Sequence, residues 1–372
     1  MSTNSNFRQL FFLVFFFSII YISCKNNSNS AKPDILAQQN KGVLFEEEVP
    51  TILLDSFVHA NRDKHKVPAV SLAIIKEGKI IYTKNYGVVN FISQEPVTQK
   101  SVFEAASITK PIFAYTVCRL AQKGVIDLDA SLHERFPFSK SDIEKYPCYK
   151  DITARHVLTH VTGLRNWGVE LVHCPGEQYG YSGQGFEYLT KALAKSFTEE
   201  MDRTILKYLK EEVLLPFDMN NTYFVESETL KARCVDGHLN HQPTEQEFPE
   251  SPEMAFGMHC NATDIAKFAI GLGQRTGLSK EMATDMFTLH TRVPESEKEF
   301  DGEGDQGYGL GLYLRNSSYG KVFGHSGSNY DFICLFEVYD DLNMGYVIMT
   351  NSDTGDKFID ELRQFLIEDY TD

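Results

Sequence analysis

A serine and a lysine lie three residues apart at the start of a predicted helix. Within residues 103–113, Ser107 supplies a hydroxyl and Lys110 an amine. Helical geometry places residues i and i+3 on one face, so Lys110 can take a proton from the Ser107 hydroxyl. The helix N-terminus adds positive potential where an oxyanion would develop. This spacing predicts nucleophilic catalysis at Ser107, with Lys110 as its proton acceptor.

The same Ser-x-x-Lys spacing occurs a second time, at Ser318 and Lys321. Behind Ser107, Pro111 in the first turn and Gly124 after the last turn predict one helix that fixes the spacing. Ser318 instead lies in a turn-rich segment between two apolar runs, which predicts a hairpin. The helix therefore favours Ser107 as the nucleophile.

Lys110 needs a second activating group. An ordinary lysine has a pKa of about 10.4 and is protonated at neutral pH, so it accepts no proton. Residues 175–189 form a turn-rich segment that leads into a helix and presents Tyr181. Neighbouring cations lower the pKa of a phenol, and a Tyr181 phenolate would then serve as a base.

A third candidate segment, residues 323–330, follows one predicted strand and precedes the next. Gly327 is expected to let a substrate backbone lie close to the strand edge, because glycine has no side chain. The backbone N–H of Ser328 is available as a donor to an oxyanion. His325 adds an imidazole to the same segment.

Taken together, the three segments resemble the penicillin-recognising serine hydrolases, which carry the S-x-x-K signature. The resemblance is to the class C β-lactamase-like branch, which also contains DD-peptidases, D-amino-acid amidases and carboxylesterases. Residues 157–164, VLTHVTGL, are similar to the LLTHTSGL segment of that branch, and residues 308–312 are similar to its YGLG strand. The resemblance runs from about residue 45 to the end, in the family's order.

The resemblance implies a role for each candidate residue. Ser107 would be the acylated nucleophile and Lys110 its proton-accepting partner. Tyr181 would be the base that serves both attack and leaving group. The N–H groups of Ser107 and Ser328 would form the oxyanion hole, and His325 stands at the family's KTG lysine position. No cofactor and no metal is implied.

Two departures from the family pattern concern the substrate. Gly183 stands where the family's Tyr-x-Asn has an amide that binds an acylamino group. His325, as a histidine, tends to be neutral near pH 7 and would hold a substrate carboxylate less firmly than lysine. Both changes weaken the case for β-lactam hydrolysis and leave acyl-enzyme chemistry on an ester or a D-amino-acid-containing peptide intact. A β-lactamase proper remains one alternative, and a non-catalytic peptidoglycan- or partner-binding protein another.

The predicted elements favour a sheet that both ends of the chain complete. A hairpin is expected at residues 69–86, helices through the middle, strands from residue 308 and a helix at 356–370. The resemblance implies a mixed α/β fold with an antiparallel sheet flanked by helices, plus an all-α subdomain. Its α/β part would span about 45–106 and 305–372, and its helical part about 107–304.

The first 44 residues have the pattern of an exported lipoprotein. Arg8 and an apolar run predict a signal peptide over residues 1–23, with Cys24 as the lipidation site and a polar tether through residue 44. A non-lipidated signal peptide or an uncleaved anchor is the alternative. We expect a bacterial envelope protein, periplasmic or at the outer membrane, held to the membrane by this lipid. Its expected partners are a small-molecule or peptide substrate and cell-wall fragments. The formal net charge of -15 argues against nucleic-acid binding.

The remaining cysteines and histidines indicate no metal site. Besides Cys24, six cysteines occur without a CxxC pair, and buried free thiols are the favoured interpretation. His238 and His241 lie in a polar stretch and are expected in a solvated loop. His160 is expected to be structural, because no partner for it is visible in the sequence.

Overall fold

A computed structural model describes residues 42–195, 199–297 and 305–367. The predicted signal peptide, Cys24 and all but the last three residues of the tether lie outside the described residues, as does the end of the predicted C-terminal helix after residue 367. In the described part of the chain, no helix is both long and apolar enough to cross a membrane.

Ten helices and twelve strands lie within the described residues. The helices are α1 (Thr51–His65), α2 (Thr109–Gln122), α3 (Lys140–Lys145), α4 (Ala154–Leu158), α5 (Gly183–Ala194), α6 (Glu199–Leu209), α7 (Glu228–Lys231), α8 (Ala262–Gly273), α9 (Lys280–Met286) and α10 (Gly355–Ile367). The strands are β1 (Ala69–Lys76), β2 (Lys79–Gly87), β3 (Phe103–Glu104), β4 (His238–Leu239), β5 (Gln242–Pro243), β6 (His259–Cys260), β7 (Thr291–Arg292), β8 (Gly307–Tyr308), β9 (Tyr313–Ser317), β10 (Gly320–Ser328), β11 (Ile333–Tyr339) and β12 (Met344–Thr350).

Eight strands form one antiparallel sheet in the order β2-β1-β12-β11-β10-β9-β8-β7. The N-terminal strand β1 pairs with the C-terminal strand β12, with Val70 opposite Thr350. The prediction of a sheet completed by both ends of the chain is therefore confirmed, as is the mixed α/β fold. Two further ladders, β3 with β6 and β4 with β5, lie in the middle of the chain.

The alternation of side chains along β1 divides the core into two layers. Ala69, Ala73 and Ile75 belong to one buried cluster, which also contains residues of α2 and α8. Their neighbours Leu72 and Ile74 belong to the other, together with residues of α1 and α10. Because successive side chains of a strand point to opposite faces, helices cover the sheet on both sides.

Helix α2 carries the predicted nucleophile segment into the core. Eleven of its fourteen residues are buried, including Lys110. A helix that is buried nearly all round lies inside a protein and not on its surface. The strand expected through residues 308–312 ends at Tyr308, because residues 309–312 form a turn. Gly311 has φ +71, and a Cβ there would lie 2.2 Å from the Ala114 Cβ. The turn packs directly on α2.

Two expectations about cysteine and histidine need correction. Cys148 and Cys174 form a disulfide, whereas Cys118, Cys234, Cys260 and Cys334 are buried free thiols as expected. The disulfide ties the segment before Tyr181 to the 3₁₀ turn Pro147–Asp151.

His238 is not in a solvated loop, because it is buried in strand β4 and its Nδ1 lies 3.1 Å from the Asn351 carbonyl oxygen. Ser318 lies in the β9–β10 turn, as predicted.

Candidate active site

The backbone around Ser107 is held from two sides. Ser107 lies in a 3₁₀ turn, Ala106–Ile108, directly before α2. Ala106 has φ +46, a left-handed conformation that is unusual for a residue with a side chain. The Thr109 hydroxyl donates to the Ala106 carbonyl oxygen at 2.6 Å and accepts the Met258 N–H at 3.1 Å. These bonds fix the turn that presents the serine.

Lys110 is buried and points at Ser107. The residue is 1% exposed, and its Nζ donates to Ser107 Oγ at 3.0 Å and to the Ala255 carbonyl oxygen at 2.7 Å. The Ala255 N–H donates in turn to the Glu187 carboxylate at 2.9 Å. Burial raises the pKa of Glu187 to about 7, against the opposing effect of that hydrogen bond. The serine and lysine predicted from sequence thus form a hydrogen-bonded pair.

Tyr181 completes the predicted catalytic trio. The Lys110 Nζ lies 4.7 Å from the centre of the Tyr181 ring. The three side chains also line one common cavity. The structure therefore brings together three residues from two distant segments of the sequence.

His160 has partners that sequence reasoning missed. Its ring stacks on Tyr181 with centroids 4.3 Å apart, and its Nδ1 accepts the Ser182 N–H at 3.2 Å. Burial holds the pKa of His160 well below its ordinary value, and the positive charge of Lys110 adds to this. A neutral imidazole therefore supports the Tyr181 ring. In the sequence, the one feature that could have indicated a place for His160 beside the site was its position inside the VLTHVTGL segment.

His325 lies in β10 and is fully buried. Its Nδ1 lies 2.6 Å from the Ser326 carbonyl oxygen, and its ring centre is 6.3 Å from that of Tyr181. Burial, with the charge of Lys110, lowers the pKa of His325 to about 3. The ring is uncharged at neutral pH and is not among the described residues that line the cavity. An uncharged His325 ring cannot form an ion pair with a substrate carboxylate, which is the contact expected from the sequence.

Gly327 allows β10 to approach the nucleophile turn. A Cβ on Gly327 would lie 2.4 Å from the Ala105 carbonyl oxygen and 3.3 Å from the Ser107 nitrogen. The glycine therefore makes room for this chain's own backbone, where a role toward the substrate backbone was expected. Ser328, the next residue, lines the same cavity as Ser107. The oxyanion role of their N–H groups stays a prediction.

The space beside Gly183 is filled by Trp167. A Cβ on Gly183 would lie 2.8 Å from the indole of Trp167, so an asparagine at this position would require the half-exposed ring to shift. The Gly183 N–H donates to the Asn166 side-chain oxygen at 2.8 Å. Asn166 lines the cavity as well. The site therefore has a carboxamide next to residue 183, supplied by a different segment.

The trio opens into a large cavity of about 1100 Å³. One part of its wall is aromatic: Trp167 is 52% exposed and meets Phe256 edge to face, with ring centroids 5.4 Å apart. Another part is acidic and comes from residues 245–253 and from the ends of β3 and β10. The volume admits a substrate of the size of a short peptide or an aromatic ester.

An antiparallel sheet packed on helices, with a serine, a lysine and a tyrosine at their seam, is the arrangement that the Ser-x-x-Lys signature predicts. A family model described as Beta-lactamase matches residues 54–369. The chain therefore belongs to the β-lactamase family.

Known proteins of this family resemble the chain over different lengths. Protein flp of Staphylococcus aureus (strain NCTC 8325 / PS 47) is 23% identical over 196 residues, which are 47% of this chain and 38% of that protein. Esterase EstB of Burkholderia gladioli is 33% identical over 119 residues, which are 31% of this chain and 29% of the esterase. These matches thus span well under half of either relative.

A solved structure shows the same fold over most of the chain. The octameric penicillin-binding protein homologue from Pyrococcus abyssi superimposes with a TM-score of 0.70 at 24% identity, covering 82% of this chain and 74% of that one. The family model thus confirms the resemblance to this family, and the superposition confirms the antiparallel sheet flanked by helices.

Proposed function

We propose that this chain is a hydrolase that forms an acyl-enzyme on Ser107 with an ester or a D-amino-acid-containing peptide. The observation that carries the proposal is the buried Lys110 Nζ, 3.0 Å from Ser107 Oγ and 4.7 Å from the Tyr181 ring. A buried lysine loses its proton more readily than one in water, because burial disfavours the charged form. The similarity to an esterase over 119 residues supports the ester as substrate.

The proposed reaction proceeds in two steps. Ser107 Oγ attacks the substrate carbonyl carbon, and its proton passes to the Lys110–Tyr181 pair. The oxyanion of the tetrahedral intermediate accepts hydrogen bonds from the N–H groups of Ser107 and Ser328. The leaving group departs with the proton held by the pair. Water then attacks the Ser107 ester, which releases the acid and restores the serine hydroxyl.

The chain contains its own matched control for the nucleophile. Ser318 belongs to the second Ser-x-x-Lys copy but lies in a hairpin turn. We expect Ser107→Ala to lower kcat/KM for 4-nitrophenyl acetate at least about 1000-fold and to abolish labelling by a fluorophosphonate, because no acyl-enzyme can form. Ser318→Ala should behave as wild type. Equal rates and labelling for wild type and Ser107→Ala would refute the hydrolase.

The two alternatives give different results in the same set of assays. Rapid turnover of nitrocefin would indicate a β-lactamase proper, against which Gly183 argues, because it lacks the amide of the family's asparagine. A peptidoglycan peptide that binds equally to wild type and Ser107→Ala, without turnover in either, would indicate a binding protein.

A further inference from the structure

Acidic side chains dominate the charged residues in the wall of the candidate active-site cavity. Glu245, Glu247 and Glu250 are exposed, and none of them has an ion-pair partner among the described residues. The complete set of acidic side chains in the lining is Glu104, Glu245, Glu247, Glu250, Glu253 and Asp331. Single exposed carboxylates interact weakly, but a cleft lined by one sign of charge focuses its field on whatever enters.

Little positive charge opposes these carboxylates. Among the described residues that line the cavity, Lys110 is the one lysine or arginine, and it already donates to Ser107 and Ala255. His259 lines the cavity too, but burial lowers its pKa to about 4. A substrate carboxylate would therefore meet repulsion in this cavity.

A buried nitrogen next to the acidic wall lacks a hydrogen-bond partner. His259 is 3% exposed, and its Nε2 makes no hydrogen bond within the described structure. The Glu104 carboxylate lies 3.9 Å away, beyond hydrogen-bond distance, on the neighbouring strand. The other Glu104 oxygen accepts from the Asn329 amide at 2.8 Å. A buried polar atom without a partner indicates that a ligand or a water completes this corner.

The aromatic part of the wall suits the same kind of ligand. The Trp167 ring is half exposed and lines the cavity, and Phe256 supports it edge to face. A cation over the face of an indole is attracted by the negative potential of the ring. Carboxylates and aromatic faces in one cavity are the chemistry that recognises an organic ammonium group.

We propose that the substrate of this site carries a positively charged amine or quaternary ammonium group, held between the acidic wall and Trp167. The inference rests on the proposed function, since it names the charge of the substrate that Ser107 would attack. Substrates with a free carboxylate are rejected by the same wall.

Matched thioesters test the charge preference. Acetylthiocholine and S-(3,3-dimethylbutyl) thioacetate place a cation or its uncharged isostere in the leaving group. In the second pair, the S-methyl thioesters of 4-(trimethylammonio)butanoate and 5,5-dimethylhexanoate, the cation or its uncharged isostere lies in the acyl group. S-(3-carboxypropyl) thioacetate is the anionic comparison. Thiol release from the full chain gives kcat/KM for each. We expect the cation to be preferred at least about tenfold in one of the two pairs, and the anion to be the slowest.

Variants locate the source of the preference. Glu247→Gln/Glu250→Gln removes two exposed carboxylates of the wall, and Glu134→Gln/Glu211→Gln removes two exposed carboxylates outside the cavity lining. The first pair should reduce the cation preference about threefold, because a charged substrate senses the wall more strongly than its uncharged isostere. The second pair should change neither. Added salt should weaken the preference of wild type.

The results separate this inference from the proposed function. Ser107-dependent turnover with equal rates, or a slower cation, in both pairs overturns the inference and keeps the hydrolase. If no thioester is turned over, isothermal titration of Ser107→Ala with the same compounds decides. Binding of the cation at least about tenfold tighter than its isostere supports a cation site. Equal binding overturns it.

Discussion

At the scale of single residues, the site depends on a close approach that only glycine permits. Gly327→Ala would place a Cβ 2.4 Å from the Ala105 carbonyl oxygen, so β10 and the Ser107 turn must move apart. Displacing a nucleophile by about 1 Å costs roughly 100-fold in rate, and such overpacking costs about 1–3 kcal/mol of stability. We expect both losses for Gly327→Ala, measured as kcat/KM and by urea unfolding.

Gly273→Ala is the control for this change. A Cβ there would lie 3.6 Å from the nearest atom of the Phe323 ring, an ordinary contact, so activity and stability should stay near wild type. Wild-type kcat/KM in Gly327→Ala would contradict the idea that the approach of β10 positions Ser107.

The sequence was informative about residues whose chemistry is local. Ser107 and Lys110 were found because three residues of helix fix their geometry, whatever the rest of the fold does. Trp167, Asn166 and His160 were missed because their relation to Gly183 and Tyr181 exists only after folding. The absence of an amide at position 183 was visible, whereas the indole that fills its place was not.

At the scale of elements, the Cys148–Cys174 bond fastens the segment that leads to Tyr181. It closes a loop with a sequence separation of 26 residues, and cross-linking a loop of this length stabilises a protein by about 3 kcal/mol. Cys148→Ser/Cys174→Ser should lose about that much free energy of unfolding, and activity should fall because Tyr181 is less firmly placed. Urea unfolding with and without reductant measures the effect.

The reductant supplies the control for the disulfide. Wild type should become as unstable as the double variant when it is reduced, while the double variant should not respond. A wild type whose unfolding is insensitive to reductant would contradict a stabilising bond. Since disulfides persist in oxidising compartments, finding this bond in protein isolated from its native cells would support the predicted export.

Strands were predicted correctly where β-branched and polar residues alternate, and wrongly where a glycine with positive φ turns the chain. The hairpin of β1 and β2 follows from two β-branched runs around Gly78, and the structure has it. Residues 309–312 have apolar alternation too, but the positive φ of Gly311 turns the chain against α2. Cys148 and Cys174 could not be paired from spacing, because their approach is a property of the folded loops.

At the scale of the whole molecule, buried ionisable groups set the response to pH. Burial lowers the pKa of His325 to about 3 and of His259 to about 4, and holds that of His160 well below its ordinary value. Their stabilising contributions are complete above about pH 6.5 and are lost as the pH falls towards 3. Burial raises the pKa of Glu104 and Glu187 to about 7, so their contributions are complete below about pH 4.5 and are lost as the pH rises through 7.

Burial also lowers the pKa of His156 and His238 and raises that of Glu253 and Asp264, so five histidines oppose four carboxyl groups. We expect the free energy of unfolding, from urea titrations followed by circular dichroism, to fall by on the order of 2 kcal/mol between pH 6.5 and 4.5. His259→Gln should flatten this acid limb, because one fewer ring takes up a proton on unfolding. A free energy of unfolding that increases steadily towards pH 4.5 would contradict the assignment.

The overall fold could be predicted where the sequence contains evidence of strand pairing between distant segments. β-rich segments at both ends of the chain indicated one sheet, and β1 does pair with β12. A formal net charge of -15 does not say where the charge lies. Four of the six acidic side chains of the wall lie close together in residues 245–253, but only folding brings Glu104 and Asp331 to the same cavity.

The close approach at Gly327 also affects how the proposed hydrolase can be redesigned. Side chains cannot be added where β10 meets the Ser107 turn, because the obstructing atoms belong to backbone. Glu245, Glu247 and Glu250 are exposed, and exchanges at such positions usually cost under about 0.5 kcal/mol. A combinatorial library confined to these three positions would therefore vary the choice of substrate while the reaction machinery is inherited unchanged.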